Sequence, residues 1–224
     1  PLAGHTLQTE RFRAQLDASL PLKKQLWQQI IQAKILNQAS ALQSVLGEPV
    51  KNMLAWSRQV KSGDTENIEA RAAAFYWRNL FITLPGFVRE REEAAPNSLL
   101  NYGYAILRAL IARALVGCGL LPTLGIHHHN KYNAYCLADD IMEPYRPYVD
   151  LLVVEICEEE GFPTTLTKEV KARLLTLPTL DIEIDGQCRP LMLAVAQTAS
   201  SLLRCFTGEA RRLSYPLLRC DAND

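Results

Sequence analysis
Pro96-Asn97-Ser98-Leu99-Leu100-Asn101-Tyr102-Gly103-Tyr104-Ala105-Ile106-Leu107-Arg108-Ala109-Leu110-Ile111-Ala112-Arg113-Ala114-Leu115-Val116 is the stretch on which the fold turns. Its charges are Arg108 and Arg113, and apolar residues crowd the rest of it. A helix so strongly apolar belongs at the centre of a bundle. Gly117 and Gly119 stop it.

The flanking sequence supplies the helices around it. Residues 22–46 place Leu26, Trp27, Ile30, Ile31, Ile35, Leu36, Leu42 and Leu46 at helical spacing, with Pro21 in the first turn and Gly47 just past the end. A shorter helix follows over 53–60. Asp64 or Thr65 can cap a third, which runs through Glu69 to Trp77, and its three alanines permit close helix–helix approach. Residues 84–95, with Arg89-Glu90-Arg91-Glu92-Glu93, read as a charged loop, and residues 125–136 as a polar, aromatic one. Residues 137–160 are helical in content, but Pro144 and Pro147 predict a kink or break. Thr165 caps a helix through Leu175, and residues 190–206 form a last amphipathic helix. Leu180-Asp181-Ile182-Glu183-Ile184 alternates, and Asp185-Gly186 is a hairpin turn signal. The expected fold is therefore all-α, a multi-helix bundle with one short β-hairpin near residues 180–189. Residues 1–9 show no clean periodicity, and the C-terminal tail carries no assignable element.

The 224 residues are enough for a real core. Lys plus Arg and Asp plus Glu both total 24, so net charge does not point to nucleic acid, although a local basic face remains compatible with it. Nothing resembles a signal peptide, and no apolar run reaches membrane-spanning length, so no membrane partner is expected. None of Cys118, Cys136, Cys157, Cys188, Cys205 and Cys220 is paired as C-x-x-C, and most sit in apolar runs. That usage suits reduced thiols in a cytoplasmic protein.

Chemistry concentrates in Gly125-Ile126-His127-His128-His129 and Asp139-Asp140-Ile141-Met142-Glu143-Pro144-Tyr145-Arg146-Pro147. In a helix starting near Leu137, Asp140 and Glu143 share a face. Two carboxylates and an imidazole suit a hard divalent cation with open coordination positions. Acids in a first turn also complement the helix macrodipole, and a histidine run can be a surface loop, so spacing alone leaves both readings open. Likewise Asp139 can cap the helix or face solvent, and Asp150 and Arg146 can form a structural ion pair.

These blocks resemble the CRISPR-associated integrase family, Cas-one. The resemblance rests on Gly125-x-x-His128, Asn133, and Leu137-Ala138-Asp139-Asp140-Ile141-Met142-Glu143-Pro144-Tyr145-Arg146-Pro147-x-x-Asp150. Glu69-Ala70-x-Ala72-Ala73-x-x-Tyr76-Trp77 and Asn97-x-x-Leu100-Asn101-Tyr102-Gly103-Tyr104 agree with two upstream family blocks, Trp77 standing where Phe is usual. The details look most like the versions from type II systems. The resemblance implies Glu69, His128 and Glu143 as ligands of Mg²⁺ or Mn²⁺, with Asp140 as an auxiliary catalytic carboxylate. It further implies a DNA integrase and endonuclease that joins the 3′-hydroxyl ends of spacer DNA to CRISPR repeat DNA by transesterification. The alternative is a truncated, non-catalytic DNA-binding or assembly module of the same fold. Implied partners are double-stranded DNA, a second copy in a homodimer, and the small ferredoxin-like Cas-two protein. Arg146, Lys168, Lys171 and Arg173 are the candidate phosphate contacts, although the last three also read as a solvated helix face. The family's N-terminal β-domain has no counterpart here, so residues 1–20 read as the linker after it and residues 21–224 as the helical catalytic domain.

Overall fold
The computed structural model describes residues 6–90, 94–163 and 165–218. Its helices are α1 (Thr6–Leu16), α2 (Leu20–Leu46), α3 (Lys51–Gln59), α4 (Ile68–Leu80), α5 (Asn97–Gly117), α6 (Cys136–Met142), α7 (Arg146–Glu160), α8 (Lys168–Leu174) and α9 (Leu191–Phe206). Strands β1 (Asp181–Ile184) and β2 (Gln187–Pro190) precede α9, and β3 (Pro216–Leu217) follows it.

Helix α5 lies against α6, α7 and α9, as its apolar character predicts. By length and composition it could cross a membrane, which corrects the expectation that no apolar run was long enough. One face of it, with Leu99, Leu100, Leu107, Ile111 and Leu115, is buried among the neighbouring helices, while Ala105, Ala109 and Val116 are exposed. Gly103 lets α7 come close, because a Cβ there would stand 2.4 Å from Val149 Cγ1. The other long helix, α2, packs on α3, α4 and α7. Ser19 Oγ accepts from the Leu22 N–H at its start, and left-handed Gly47 closes its end by donating to Gln43 O.

Pro144 and Pro147 break the helix as expected. A 3-10 turn, Glu143–Tyr145, separates α6 from α7, and each proline sits at the start of its segment, where no N–H is needed. The hairpin also forms as predicted. Asp185 and Gly186 both have positive φ, the twist that suits a two-residue turn. The sheet nevertheless has three strands in the order β2-β1-β3, because the C-terminal segment pairs Leu217 with Glu183 and Pro216 with Ile184. Two paired residues carry no alternation from which to predict them.

Two further points concern α1 and α8. Residues expected to be linker form α1, which docks through Arg11 on Cys118 O and through Gln15 on Leu121 and Leu124. The cap of α8 is Thr167, whose hydroxyl accepts from Val170 N–H, and not Thr165. Trp77 is accommodated against Tyr76 and Phe87 in edge contacts. Cys118, Cys136, Cys157, Cys188 and Cys205 are free thiols. The loop assignment for Arg91, Glu92 and Glu93, and Cys220, lie outside the described residues.

Candidate active site
Lys34 is 8% exposed on the core side of α2, between two acidic side chains. Its Nζ lies 2.6 Å from Glu69 Oε1 and 2.6 Å from Glu143 Oε2, the second contact close but not aligned as a hydrogen bond. Glu69 stands in the first turn of α4, where the Asp64 carboxylate accepts from the N–H groups of Ile68 and Glu69. Asp64 thus caps α4, reaching it from outside the helix. Glu143 opens the 3-10 turn. Asn37, one turn beyond Lys34, donates to Pro144 O and Pro216 O and accepts from Leu218 N–H, which ties that turn to α2 and the third strand.

Charge compensation here is strong. Burial pushes the Glu143 carboxyl up, but the Arg146 guanidinium and the Lys34 ammonium overcome it and hold it at about 2. Burial disfavours the Lys34 ammonium, yet Glu143 and Glu69 more than offset this and raise its pKa. Arg146 Nε donates to Glu143 Oε1 at 2.8 Å.

The histidine loop is built on Asp140, which is 0% exposed. Asp140 Oδ2 accepts from the N–H groups of Ile126 (2.6 Å) and His127 (2.9 Å), and Oδ1 from that of His128 (3.2 Å). His128 Nδ1 lies 2.5 Å from the same Oδ1. That hydrogen bond raises the His128 pKa above its ordinary value, against the effect of burial. The loop fits this closely because residue 125 is glycine: a Cβ there would stand 2.2 Å from His128 O and 3.0 Å from Asp140 Oδ2. Asp140 therefore acts on the loop and on His128 rather than lying open to a substrate. Asn133 Nδ2 donates to Asp139 Oδ2, and Asn133 Oδ1 accepts from Tyr135 N–H, so Asp139 and Asn133 secure the start of α6.

The three histidines differ. His127 stacks on Trp27 with ring centroids 4.1 Å apart, while His128 meets the same indole edge-on. His129 shares a cleft of about 980 Å³ with His128, Glu143, Arg89, Arg108 and Arg146.

Within the cleft, the Arg146 and Arg89 guanidinium carbons lie 4.5 and 5.4 Å from the centroid of the Tyr104 ring. Arg89 is tethered to Asn97 and Asn101 of α5. Asp150 does not pair with Arg146 as considered from the sequence. Tyr76 and Tyr104 donate to it, and burial pushes its pKa up to about 7.

The fold thus brings Glu69 and Glu143 to one ammonium, and His128 and Glu143 to one cleft. Among the described residues, no three His, Cys, Asp or Glu side chains form a group that could hold a metal as they stand. The donor set still fits a hard cation. The space between the carboxylates already stabilises positive charge, and His128 Nδ1 is engaged, which leaves Nε2 as the coordinating nitrogen. Of the four basic residues singled out in the sequence, Arg146 lines the cleft. Arg173 is bound to Glu155 and Glu159 of α7, while Lys168 and Lys171 are exposed on α8, outside the cleft lining. Sequence reasoning missed Lys34, Arg89 and Arg108. The signal for Lys34 was present: a lysine falls in the buried stripe of Ile30, Ile31 and Ile35, where an unpaired charge would be costly.

A family model described as CRISPR associated protein Cas1 matches residues 3–176. The chain is 38% identical to a CRISPR-associated endonuclease Cas1 of Neisseria meningitidis serogroup C, covering 96% of this chain and 71% of that protein. It is 35% identical to a second such endonuclease from Pyrobaculum aerophilum, over 61% of this chain and 46% of the relative. Among solved structures, a casposase bound to integration product matches with a TM-score of 0.77 at 20% identity, over 98% of this chain and 72% of that one. A CAS1 protein from Thermotoga maritima matches with a TM-score of 0.69 at 16% identity, over 92% and 70%. At those identities the structures show a shared fold, whereas the family model and the meningococcal relative show kinship: this chain belongs to the Cas1 family of CRISPR-associated proteins.

Proposed function
We propose that the chain is the catalytic part of a metal-dependent DNA integrase and endonuclease acting in CRISPR adaptation. The observation that carries this reading is the convergence of Glu69 and Glu143 on a single positive charge, beside a histidine whose Nδ1 is held by a buried aspartate. Glu69, Glu143 and His128 Nε2 would hold Mg²⁺ or Mn²⁺, hard ions suited to carboxylates and an imidazole. Such an ion supplies positive charge for a phosphate oxygen and favours attack at phosphorus.

The chain's own residues do the rest. Asp140 fixes the His128 tautomer with Nε2 unprotonated, the form a cation needs. Arg146, Arg89 and Arg108 line the cleft and bind phosphate oxygens of the DNA. The reaction is a transesterification. The 3′-hydroxyl of the incoming spacer strand attacks a phosphodiester of the repeat, a new P–O3′ bond forms, and the old one breaks. The proton leaves the attacking hydroxyl, and the departing 3′-oxygen takes one up. Endonucleolytic cutting uses water as the attacking group in the same site. The working assembly contains double-stranded DNA, a second copy of the chain and a Cas2 protein. The Cas2 assignment draws on the likeness to a chain of a Cas6-RT-Cas1–Cas2 complex, which has a TM-score of 0.71 at 21% identity over 90% of this chain and 26% of that one.

Strand joining on a supercoiled plasmid carrying a repeat, in the presence of the Cas2 partner, tests the reading. Joining should require Mn²⁺ or Mg²⁺ and disappear in His128→Ala. His127→Ala and His129→Ala should lose less than about tenfold, or roughly 1.4 kcal/mol in the transition state. Metal-independent DNA binding with no joining under any condition would leave the non-catalytic module as the function.

A further inference from the structure
We infer that Lys34 is a built-in counter-cation that occupies the carboxylate site in the absence of metal and moves aside into a neighbouring cavity when a divalent ion binds. The inference rests on reading Glu69 and Glu143 as ion ligands.

The first observation is the double contact. One ammonium, 8% exposed, touches carboxylates from two different segments at 2.6 Å each. Without it, the buried Glu143 carboxylate would lose one of its two counter-cations and keep only Arg146, which is costly for a buried charge. An ion bound to both carboxylates would meet the Lys34 charge at close range, and like charges at that distance repel strongly. The ammonium and the ion therefore compete for the same oxygens.

The second observation supplies a destination. Gln38 is one turn further along α2, on the face that carries Lys34, and is 3% exposed. Its Oε1 is buried and has no hydrogen-bond partner among the described residues. Lys34 and Gln38 line the same cavity of about 160 Å³, where the carboxyl groups of Glu143 and Asp150 stand against the guanidinium groups of Arg89 and Arg146. A lysine has a flexible four-carbon stem, so its ammonium can leave Glu69 and Glu143 and donate to Gln38 Oε1 without leaving the protein. The unpaired acceptor is then satisfied in the ion-bound state. Buried acceptors without partners are rare, and this one gains a purpose.

The competition makes opposite forecasts for two residues that are not ligands. Mn²⁺ binding is measured by the loss of its free electron-spin-resonance signal, with melting followed in chelator and in Mn²⁺. Lys34→Met should bind Mn²⁺ at least about tenfold more tightly than the parent, because the competing charge is gone. In chelator it should melt below the parent, and Mn²⁺ should restore it. Gln38→Leu should bind Mn²⁺ more weakly, by about threefold or more, because the displaced ammonium loses its acceptor, a neutral partner of modest strength. Glu143→Gln should abolish binding in both the parent and the Lys34→Met background, which identifies the site.

Binding that depends on Glu143 but is unchanged or weakened in Lys34→Met overturns the counter-cation and leaves the metal site standing. Unchanged binding in Gln38→Leu overturns the cavity as its destination. Absence of Glu143-dependent Mn²⁺ binding in the parent and in Lys34→Met overturns the metal site and this inference together. If Lys34→Met does not fold, the ¹⁵N resonance of Lys34 Nζ in the unaltered protein decides. It should shift on addition of diamagnetic Mg²⁺, and a resonance that stays in place overturns the movement.

Discussion

Replacing Asp140 by Asn is the sharpest perturbation of this site, because shape is conserved while charge and one acceptor are lost. Asp140 accepts three backbone N–H groups and engages His128 Nδ1. An amide must present one oxygen and one NH₂ to those partners. If the oxygen stays with Ile126 and His127, both bonds fall from charge-assisted to neutral strength, a loss of about 1 kcal/mol each. The NH₂ then faces the His128 N–H, and a buried donor left unpaired costs about 1–3 kcal/mol more. The total is roughly 3–5 kcal/mol, which in a domain of this size lowers the melting point by about 6–20 °C. The effect on the imidazole is more specific. An amide N–H pointing at Nδ1 makes that nitrogen an acceptor and moves the ring proton to Nε2, which can then no longer bind a cation. Mn²⁺ affinity should fall by about 10–100-fold, the usual consequence of losing such an outer partner. Calorimetric melting and Mn²⁺ titration at a temperature where both proteins are folded are the assays. The position of the ring proton is read from the two histidine ¹⁵N shifts. A folded Asp140→Asn protein with unchanged melting point and unchanged Mn²⁺ affinity would refute the role assigned to Asp140.

Three further outcomes are expected. Gly125→Ala forces a Cβ to within 2.2 Å of His128 O, so the loop must move; overpacking of this kind costs about 1–3 kcal/mol, and joining should fall even where melting shows the fold intact. Arg146→Ala should weaken DNA binding and reduce its salt dependence by about one phosphate contact, whereas Arg173→Ala, which lies outside the cleft lining and is paired with Glu155 and Glu159, should change neither measurably in the same titrations. Asp150, beside Tyr76, Tyr104, Arg89 and Arg146, has its folded-state pKa raised from 3.8 to about 7 by burial. The folded protein therefore binds this proton more tightly, and Asp150's contribution to stability is complete below about pH 4 and lost as pH rises towards 7, by up to roughly 4 kcal/mol. Denaturant unfolding at pH 5 and pH 8 checks this: Asp150→Asn should flatten the difference, and an identical pH profile in the variant would contradict it.

Much of the architecture was legible because it depends on local rules. The apolar length of α5, the stripe and caps of α2, the proline break after Glu143 and the Asp-Gly turn each follow from backbone and burial preferences within a few residues. The local order of Gly125, His128, Asp140 and Glu143 was legible through the family resemblance, whereas the need for a glycine where the loop presses on Asp140 appears only in the structure. Helix α1 and strand β3 were not, since neither carries a periodic signal and both exist through docking on distant segments.

The sequence by itself determined which residue types are available to this site and on which helices they travel. Only the tertiary structure decided what they meet. It placed Lys34, from a helix the motifs never touch, between Glu69 and Glu143, and it gave Asp150 to two tyrosines instead of Arg146. It also tied Arg173 to acids of α7 and put Arg89 and Arg108 in the cleft instead. The physical reason is range. Helical spacing acts over one or two turns, whereas the partner of a buried charge is set by whichever segments pack together, and that pairing has no signature in the order of the residues.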